Sequence, residues 1–474
     1  MYQYLLKRIF IFIPTLLVIS LLAFGLSKMA PGDPVELFLR DRSGDVERDL
    51  INADRIYQET ARYLGLDKPA FYFSISPAAI PDTLHAILNP IHQENLRKLI
   101  QQYGNWPQIS GWYDNIRILE YEMAALPPAL ATGTPARNVK ANLRQLYVNY
   151  QDHKISSLLG QIRQGMEQDS LLKQSLAAGF TDLMQSYQRV KSQKTRQLLY
   201  VPDLKWFGLN NQYHCWLTNF MRLDFGKSYY DNRPVADKIA DALYWTILIN
   251  CWALFFSYLI AIPIGVFSAI RKDTFYDRFI TLLLFILHSL PNFWIATLLV
   301  VFFTTPEYGM DWFPSLGLGD LPKEAPFGDR FLERSAHLFL PVLCLTYGTL
   351  AFISRQMRGG VLNVIRQDYI RTARAKGLSE QTVIWKHAFR NALFPIITMF
   401  AGVLPAIFAG SLVIEVIFNI PGMGKLTVDG ILSRDWPLVY ALLMITAVLT
   451  MAGILIADIL YARFDPRVSY SSKK

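Results

Sequence analysis

The sequence has little charge and little cysteine. Charged residues make up 18% of its 474 residues, against roughly 25% in an ordinary soluble domain. The three cysteines, Cys215, Cys251 and Cys344, do not have the spacing of metal ligands, so neither a disulfide framework nor a zinc site is indicated. Low charge combined with 52% hydrophobic residues indicates a membrane protein that carries a soluble part.

The sequence also lacks the motifs of a nucleotide-binding or metal-dependent enzyme. Gly226-Lys227-Ser228 resembles the end of a phosphate-binding loop, but Met221 stands where that loop needs its first glycine. There is no His-Glu-x-x-His pair among the seven histidines. The net charge of +9 has no groove-reading motif beside it, so nucleic-acid binding is not indicated. If the chain uses ATP, a partner must therefore handle it.

Six long apolar stretches are present. Each is long enough, alone or with its flanks, to cross a hydrocarbon core of about 30 Å as a helix. The first follows Lys7 and Arg8 and has no good cleavage site after it, so residues 1–30 are predicted to be a retained helix and not a signal peptide. The fold class is thus an all-α polytopic membrane protein with six transmembrane helices. The stretches are Ile9–Ser27, Ala242–Ile270, Phe279–Thr305, Leu338–Ser354, Phe394–Ile414 and Trp436–Ala457.

Lys and Arg in the short loops predict the orientation. Seventeen lie at one set of ends and five at the other. The side with more positive charge is the cytoplasm. Both termini and the segment Arg366–Pro395, here called the basic segment, are therefore predicted to be cytoplasmic. Residues 31–235 are predicted to be extracytoplasmic, residues 236–468 to form a core with five further spans, and residues 469–474 to be a disordered tail.

The region between the first two spans has the composition of a soluble helical domain. Asn138–Tyr150 and Ser170–Leu199 are nearly free of glycine and place apolar residues at helical spacing. Seven prolines, from Pro77 to Pro135, predict that the first half is divided into short pieces. We expect a helical insertion outside the membrane.

The basic segment reads as a helix, a small-residue turn and an amphipathic helix. Asp368–Lys376 is predicted to be helical and to end at Gly377, which can adopt a left-handed conformation. Ala373 lies on the same face as Gly377, which would leave room for another protein's backbone. Ser379 is suited to cap the second helix. The segment could be a docking element, or a loop that is basic only because it is cytoplasmic.

The residues of the basic segment favour docking, because they resemble the coupling loop of binding-protein-dependent ABC importer permeases. The general family pattern is Glu-Ala-Ala, three residues, then Gly; here Arg371-Thr372-Ala373 precedes Gly377, without the glutamate. Asp368-Tyr-Ile-Arg-Thr-Ala-Arg-Ala-Lys-Gly-Leu378 and His387-Ala-Phe-Arg-Asn-Ala-Leu-Phe-Pro395 are instead similar to the dipeptide, oligopeptide and nickel branch.

Further motifs of that branch occur in their usual order and extend the resemblance to residues 1–69 and 205–468. About 70–204 do not match and form an insertion that typical members lack. The motifs are Ala30-Pro-Gly-Asp-Pro34, Leu64-Gly-Leu-Asp-Lys-Pro69, Leu223-Asp-Phe-Gly-Lys-Ser228, Arg233-Pro-Val235, Pro421-Gly-Met-Gly424 and Asp465-Pro-Arg467.

The resemblance implies a permease subunit of the bacterial inner membrane with no catalytic residue and no cofactor of its own. ATP and Mg²⁺ would be bound by two cytosolic ATPase subunits, and the other partners would be a second homologous permease, an extracytoplasmic substrate-binding protein and the lipid bilayer. The cargo implied is a di- or oligopeptide, with nickel or another small solute as the alternative. The ATPase-coupling residues would be Arg371, Thr372, Ala373, Arg374, Lys376, Gly377, Leu378 and Ser379.

Four ionisable or polar residues in or near the spans are also candidates for function. His288 and Asn292 are candidates for lining a translocation path. Asp458 is interpreted as structural, paired with Arg463, and Glu415 as either solvated or functional. Two other classes remain open: a secondary transporter, which should show inverted repeats, and an intramembrane enzyme, which needs a nucleophile with a base or a metal site.

Overall fold

The computed structural model describes residues 2–39, 50–314, 316–322 and 324–464. The chain divides into two compact units. We call Asp33–Met221 the helical unit, and residues 1–32 together with 222–474 the membrane unit. The predicted tail 469–474 and the motif Asp465-Pro-Arg467 lie outside the described residues.

Helices dominate both units, and the described residues also contain one pair of short strands. In chain order the elements are α1 (Tyr2–Met29), α2 (Pro34–Leu39), α3 (Leu50–Tyr63), β1 (Phe73–Pro77), α4 (Pro90–Tyr103), α5 (Trp106–Ala124), α6 (Pro128–Ala131), α7 (Thr134–Leu146), α8 (Asp152–Glu167), α9 (Ser170–Ser192), β2 (Pro202–Trp206), α10 (Gln212–Met221), α11 (Val235–Ile270), α12 (Phe275–Ser289), α13 (Asn292–Thr304), α14 (Phe327–Ile365), α15 (Asp368–Ala375), α16 (Glu380–Thr382), α17 (Phe389–Ala392), α18 (Phe394–Ala409), α19 (Leu412–Ile417), α20 (Met423–Ser433) and α21 (Trp436–Phe464).

The helical unit is built around its own apolar core. Helices α4, α5, α7, α8 and α9 bury one face each, and the indole of Trp112 is 1% exposed at the centre. Several prolines start helices instead of breaking them, because proline is tolerated in the first helical turn. Within this unit β1 and β2 pair antiparallel, with Pro77 opposite Pro202. We call residues 78–201, which lie between the two strands in the sequence, the helical insert. The two ends of the helical insert are thus neighbours.

Four helices of the described membrane unit are long and apolar enough to span a bilayer, and one bent pair forms a possible fifth span. The four are Leu6–Met29, Val235–Ile270, Phe327–Ile365 and Trp436–Leu460. The predicted stretch Phe279–Thr305 is not one straight helix: α12 and α13 meet at 93° across Leu290 and Pro291. Because proline has no N–H to continue the ladder, the chain turns there.

The predicted fifth span, Phe394–Ile414, is also interrupted. Helix α18 ends at Ala409, the next residue Gly410 has a φ of +75°, and α19 begins at Leu412. Glycine and proline favour kinks in helices, and of Gly402, Pro405 and Gly410 in this stretch the break occurs at the last. The count of six spans therefore stays a prediction.

Helix α14 is longer than its apolar part. The predicted span stops at Ser354 but the helix continues to Ile365. Those eleven residues extend it by roughly 16 Å at 1.5 Å per residue. The basic segment begins at the next residue, Arg366, so it is connected directly to the end of this extension.

Two glycines allow close helix contacts in the membrane unit. A Cβ on Gly265 of α11 would lie 2.6 Å from the carbonyl oxygen of Ser354 on α14. A Cβ on Gly453 of α21 would lie 2.8 Å from the Cα of Pro405 on α18. Small residues let helix backbones approach in this way in membranes. The backbones of α11 and α14, and those of α18 and α21, therefore pack close together at these glycines.

Candidate functional site

The basic segment folds locally as its sequence predicts. Helix α15 covers Asp368–Ala375, and Gly377 follows with a φ of +79°. The Ser379 hydroxyl accepts a hydrogen bond from the Thr382 N–H at 3.4 Å and caps α16. Arg374 Nε lies 2.9 Å from Glu380 Oε1, which ties the two helices across the turn. The turn is therefore a defined structure held by contacts at both of its ends.

A small apolar core lies beneath this turn. Ile370 and Ala373 of α15 pack against Val383 and Ala388 of the next helix. Ala373 is 7% exposed, so the interpretation that it leaves room for another protein's backbone is wrong. What faces outward is the rest of the turn, including Arg371, Arg374 and Gly377 to Glu380. Ala373 instead lets α15 sit close to its neighbour.

The second helix of the basic segment is seated on the extension of α14. Between α16 and α17, Val383–Ala388 form a π-helix, which the sequence pattern did not predict. Such wide turns often occur at functional positions. Ile384 and Ala392 pack with Met357 and Val361 of α14. A Cβ on Gly360 would lie 3.0 Å from the carbonyl oxygen of Ala392, so the contact is close.

An ion pair links the same part of α14 to the start of α12. The guanidinium of Arg358 donates two hydrogen bonds to the carboxylate of Asp277, from Nε to Oδ1 at 2.9 Å and from Nη2 to Oδ2 at 2.6 Å. Asp277 is 3% exposed and also accepts hydrogen bonds from the Ser268 hydroxyl and the Asp273 N–H. Three helices, α11, α12 and α14, are joined at this point. Sequence reasoning missed the pair, since its members are 81 residues apart.

Arg358→Lys is expected to loosen this junction. A lysine ammonium cannot make the two parallel hydrogen bonds of a guanidinium. We expect the free energy of unfolding to fall by about 1.5–3 kcal/mol, the value of a hydrogen bond to a charged group. Thermal unfolding of the purified protein in detergent measures it. Arg355→Lys, at an exposed position on the same helix, is the matched control, and an equal loss in both variants would contradict this role.

The two candidates for lining a path flank the bend between α12 and α13. His288 lies in the last turn of α12 and is exposed in this single chain. Asn292 begins α13, and its amide lies against Gly348 of α14, where a Cβ would be 3.1 Å from Asn292 Oδ1. The Asn292 carbonyl accepts a weak hydrogen bond from Cys344 Sγ at 3.6 Å. Both residues are thus exposed in this chain, and Asn292 also contacts α14.

Glu415 is fully buried, so the interpretation that it is solvated is wrong. Its carboxyl oxygens accept hydrogen bonds from three backbone N–H groups, those of Ser411, Gly424 and Lys425, at 2.6–3.2 Å. The Thr246 hydroxyl donates a fourth at 3.0 Å. Two of these N–H groups belong to the first turn of α20, whose N–H groups have no hydrogen-bond acceptor within the helix itself. The side chain therefore joins α11, α19 and α20.

This contact explains the Pro421-Gly-Met-Gly424 motif. A Cβ on Gly422 would lie 2.5 Å from the Glu415 carboxyl, and one on Gly424 would lie 2.6 Å from the Cα of Leu412. Neither position has room for a larger residue. The glycines are needed so that the loop can enclose the carboxyl group.

The Leu223–Ser228 motif also acquires a structural role. The Ser228 hydroxyl donates to the buried carboxylate of Asp435, and the N–H of Tyr229 donates to it at 2.9 Å. Lys238 Nζ lies 3.8 Å from the same carboxylate and 3.0 Å from Asp231. The Gly-Lys-Ser sequence thus anchors the entry to α11 on the start of α21.

Asp458 forms an ion pair with a residue that the sequence did not suggest. Its carboxylate lies 3.1 Å from Arg8 Nε of α1, whereas the side chain of Arg463 lies outside the described side chains. The interpretation of a structural ion pair holds with Arg8, which connects the first and last long helices.

A family model matches residues 261–470, and its description is "Binding-protein-dependent transport system inner membrane component". That range contains the basic segment, the Asp277–Arg358 pair and Glu415.

Several curated proteins are similar over slightly more than half of the chain. The oligopeptide transport system permease protein AppB of Bacillus subtilis (strain 168) is 42% identical over 269 residues, which is 56% of this chain and 83% of that protein. The oligopeptide transport system permease protein OppB of Haemophilus influenzae is 36% identical, over 55% and 81%. The inner membrane ABC transporter permease protein YejB of Escherichia coli O157:H7 is 33% identical, over 56% and 73%.

Among solved structures, an inward facing form of the MetNI methionine ABC transporter matches 47% of this chain and 95% of its own. The identity is 17% and the TM-score 0.35, too low to add to the fold described above.

Proposed function

Because the chain belongs to the family of binding-protein-dependent ABC importer permeases, as a multi-pass protein of the cytoplasmic membrane, we propose that it imports short peptides as one half of a translocation path. Relatives named for oligopeptide or peptide transport support this cargo. The motifs of the dipeptide, oligopeptide and nickel branch point the same way.

The proposed assembly contains this chain, a second homologous permease, two cytosolic ATPase subunits and an extracytoplasmic binding protein. We propose six spans with both termini in the cytoplasm, counting α12–α13 and α18–α19 as broken spans. Broken helices at membrane depth are tolerated where they lie against protein or line a cavity. ATP and Mg²⁺ are bound by the ATPase subunits. His288 and Asn292, at the bend of α12–α13, are proposed to face the path.

The main support for this function is the exposed turn around Gly377, which is packed through a buried apolar core onto the end of α14. We propose that Arg371, Thr372, Arg374, Lys376, Gly377, Leu378 and Ser379 contact an ATPase cleft, with Ala373 supporting them from inside. Charge complementarity would set the orientation of this contact. An exposed, rigid and basic turn is suited to receive a push from a partner.

Movement of this turn would reach the membrane through α14. The basic segment is packed on the α14 extension, and Arg358 connects that extension to Asp277 at the start of α12. Closure of the ATPases would therefore displace α14 and α12 together and change the bend that carries His288. Packed helices move as such rigid bodies. ATP hydrolysis would reset the arrangement.

The test is reconstitution of the complete transporter. The chain is co-expressed with the second permease and the ATPases, purified as a complex, and placed in vesicles with its binding protein. We expect uptake of a labelled tripeptide that requires ATP. Uptake by this chain alone, driven by an ion gradient, would instead indicate a secondary transporter.

We propose that the helical insert, residues 78–201, contacts the extracytoplasmic binding protein, and removal of the insert tests this. Because Pro77 and Pro202 are opposite each other, residues 78–201 can be replaced by a two-residue turn without separating β1 from β2. We expect the complex to assemble, while stimulation of its ATPase by the loaded binding protein falls by about tenfold, equivalent to about 1.4 kcal/mol of lost interaction. Stimulation and docking equal to those of the intact chain would show that the insert is dispensable.

A further inference from the structure

The helical unit contains a cleft that the proposed translocation path and coupling turn do not use. It has a volume of about 550 Å³ and is lined by residues of α3, α4, α5 and α7 together with the loop before α4. Small-molecule sites in proteins commonly have volumes of about 300–1,000 Å³. The cleft is therefore large enough for a ligand the size of a short peptide.

Positive charge dominates the lining. Four lining residues are Arg or Lys, namely Arg62, Arg117, Lys140 and Arg144, and one, Glu120, is acidic. Glu120 is already occupied: Arg144 Nε lies 3.4 Å from Oε1 and the Tyr147 hydroxyl donates to Oε2 at 3.0 Å. Among the described residues, no carboxylate lies within ion-pair distance of the other three cations. Their charges are left for a ligand or for solvent.

One wall of the cleft is aromatic and fixed in place. The His92 ring is stacked on Tyr147 with centroids 4.5 Å apart and planes 9° apart. Tyr113 meets the Tyr147 ring edge-on at 5.4 Å, and its hydroxyl lies 2.9 Å from His92 Nδ1. Burial and the neighbouring Glu120 carboxylate raise the pKa of Tyr147 well above its usual range, so its phenol stays protonated and donates to Glu120. The wall is thus preorganised for an apolar group.

A solvated basic face would explain the charges alone, but not their arrangement. Like charges that line one cleft repel each other, and an anion bound in the cleft relieves that repulsion. A protein-docking face would be flatter and larger, with roughly 800 Å² buried on each partner. A cleft that is lined both by unpaired cations and by an aromatic wall fits a small anion that carries an apolar group.

We infer that this cleft binds short peptides through a free carboxylate. The carboxylate lies among Arg117, Lys140 and Arg62, and an apolar side chain of the peptide packs on the Tyr113–Tyr147 wall. The identification of the ligand as a peptide rests on the proposed function. Because the lining has only one acidic residue, a peptide whose amino terminus is uncharged binds best.

The full-length chain in nanodiscs of uncharged phosphatidylcholine is titrated against dansyl-Ala-Ala-Phe, followed by fluorescence polarisation. We expect the free acid to bind at least tenfold more tightly than its carboxamide. R117Q with K140Q is expected to weaken binding of the acid by about tenfold and to leave the carboxamide unchanged. R137Q with K173Q removes two exposed cations outside the cleft and should bind as the unmodified chain does.

Equal affinity for the acid and the carboxamide, or an unchanged affinity in the R117Q/K140Q variant, would overturn the inference. These outcomes are separate from the fate of the proposed function. If the complex transports peptides but the nanodisc assay detects no carboxylate-dependent binding, the proposed function is supported and the proposed binding site is contradicted. If the chain shows carboxylate-dependent binding but the complex transports no peptide, the binding site is supported and the proposed peptide cargo is contradicted.

Discussion

Gly377→Asp is expected to reduce ATP-driven peptide uptake by at least about tenfold while leaving the amount of assembled complex unchanged, since a lost contact of about 1.4 kcal/mol gives a tenfold change. Aspartate adopts a positive φ more readily than most residues, so the φ of +79° is retained at small cost. A Cβ at this position would have no other side chain or distant backbone atom of the chain within 4 Å. Any loss must therefore come from a partner.

The measurement compares uptake with ATP hydrolysis in the same reconstituted vesicles. Hydrolysis should continue but no longer respond to the loaded binding protein. Gly377→Asn is the matched control, because it has the same shape without the negative charge near Arg374 and Lys376. We expect peptide uptake to fall less in Gly377→Asn than in Gly377→Asp. Normal uptake by Gly377→Asp in a normally assembled complex would exclude the turn as the ATPase contact.

Ala373→Glu would have been an equivalent test if Ala373 were exposed. Because Ala373 is packed against Val383 and Ala388, a glutamate there would place a carboxyl group in the small core. Burial of an unpaired charge is costly. That variant would unseat the whole turn, so its phenotype would not distinguish a lost contact from a lost fold.

Glu415→Leu is expected to give the largest loss of stability, about 3–5 kcal/mol. The substitution leaves three backbone N–H groups and the Thr246 hydroxyl without their buried acceptor. Each orphaned buried donor costs about 1–3 kcal/mol, and partial relaxation keeps the total below their sum. Since α11, α19 and α20 all depend on this group, we expect lower yield of inserted protein and a lower thermal unfolding midpoint in detergent.

Two variants give this prediction its control. Glu415→Gln retains one carbonyl acceptor and should lose less than Glu415→Leu. Asp429→Asn changes a carboxylate that is 58% exposed on the same helix, α20, and should be nearly neutral. If Glu415→Leu unfolds at the same temperature as Asp429→Asn, the buried carboxyl does not hold these helices together.

Features that depend on neighbouring residues could be predicted from the sequence. The helix that starts at Asp368, the left-handed Gly377 and the Ser379 cap all follow from local backbone and side-chain chemistry. The long apolar stretches around α1, α11, α14 and α21 follow from composition alone. The family was also evident at this level, because its motifs are short and ordered along the chain.

Local patterns failed where the outcome depends on which helices meet. Hydropathy identified Phe279–Thr305 as one apolar stretch but did not predict its 93° bend at Leu290 and Pro291. Helical spacing placed Ala373 on an open face, because the pattern does not contain the helix that covers it. Arg358 and Asp277 lie 81 residues apart, and Ser228 and Asp435 lie 207 apart. No periodicity links such positions.

The sequence by itself thus determined that this is a multi-pass permease and where its basic turn lies, because composition, capping and motifs are properties of short stretches. Only the tertiary structure decided that Ala373 supports the turn from within, that Glu415 is enclosed by the Gly422–Gly424 loop, and that the helical unit has a cationic cleft. Burial and charge pairing depend on distances between chain segments, and packing sets those distances.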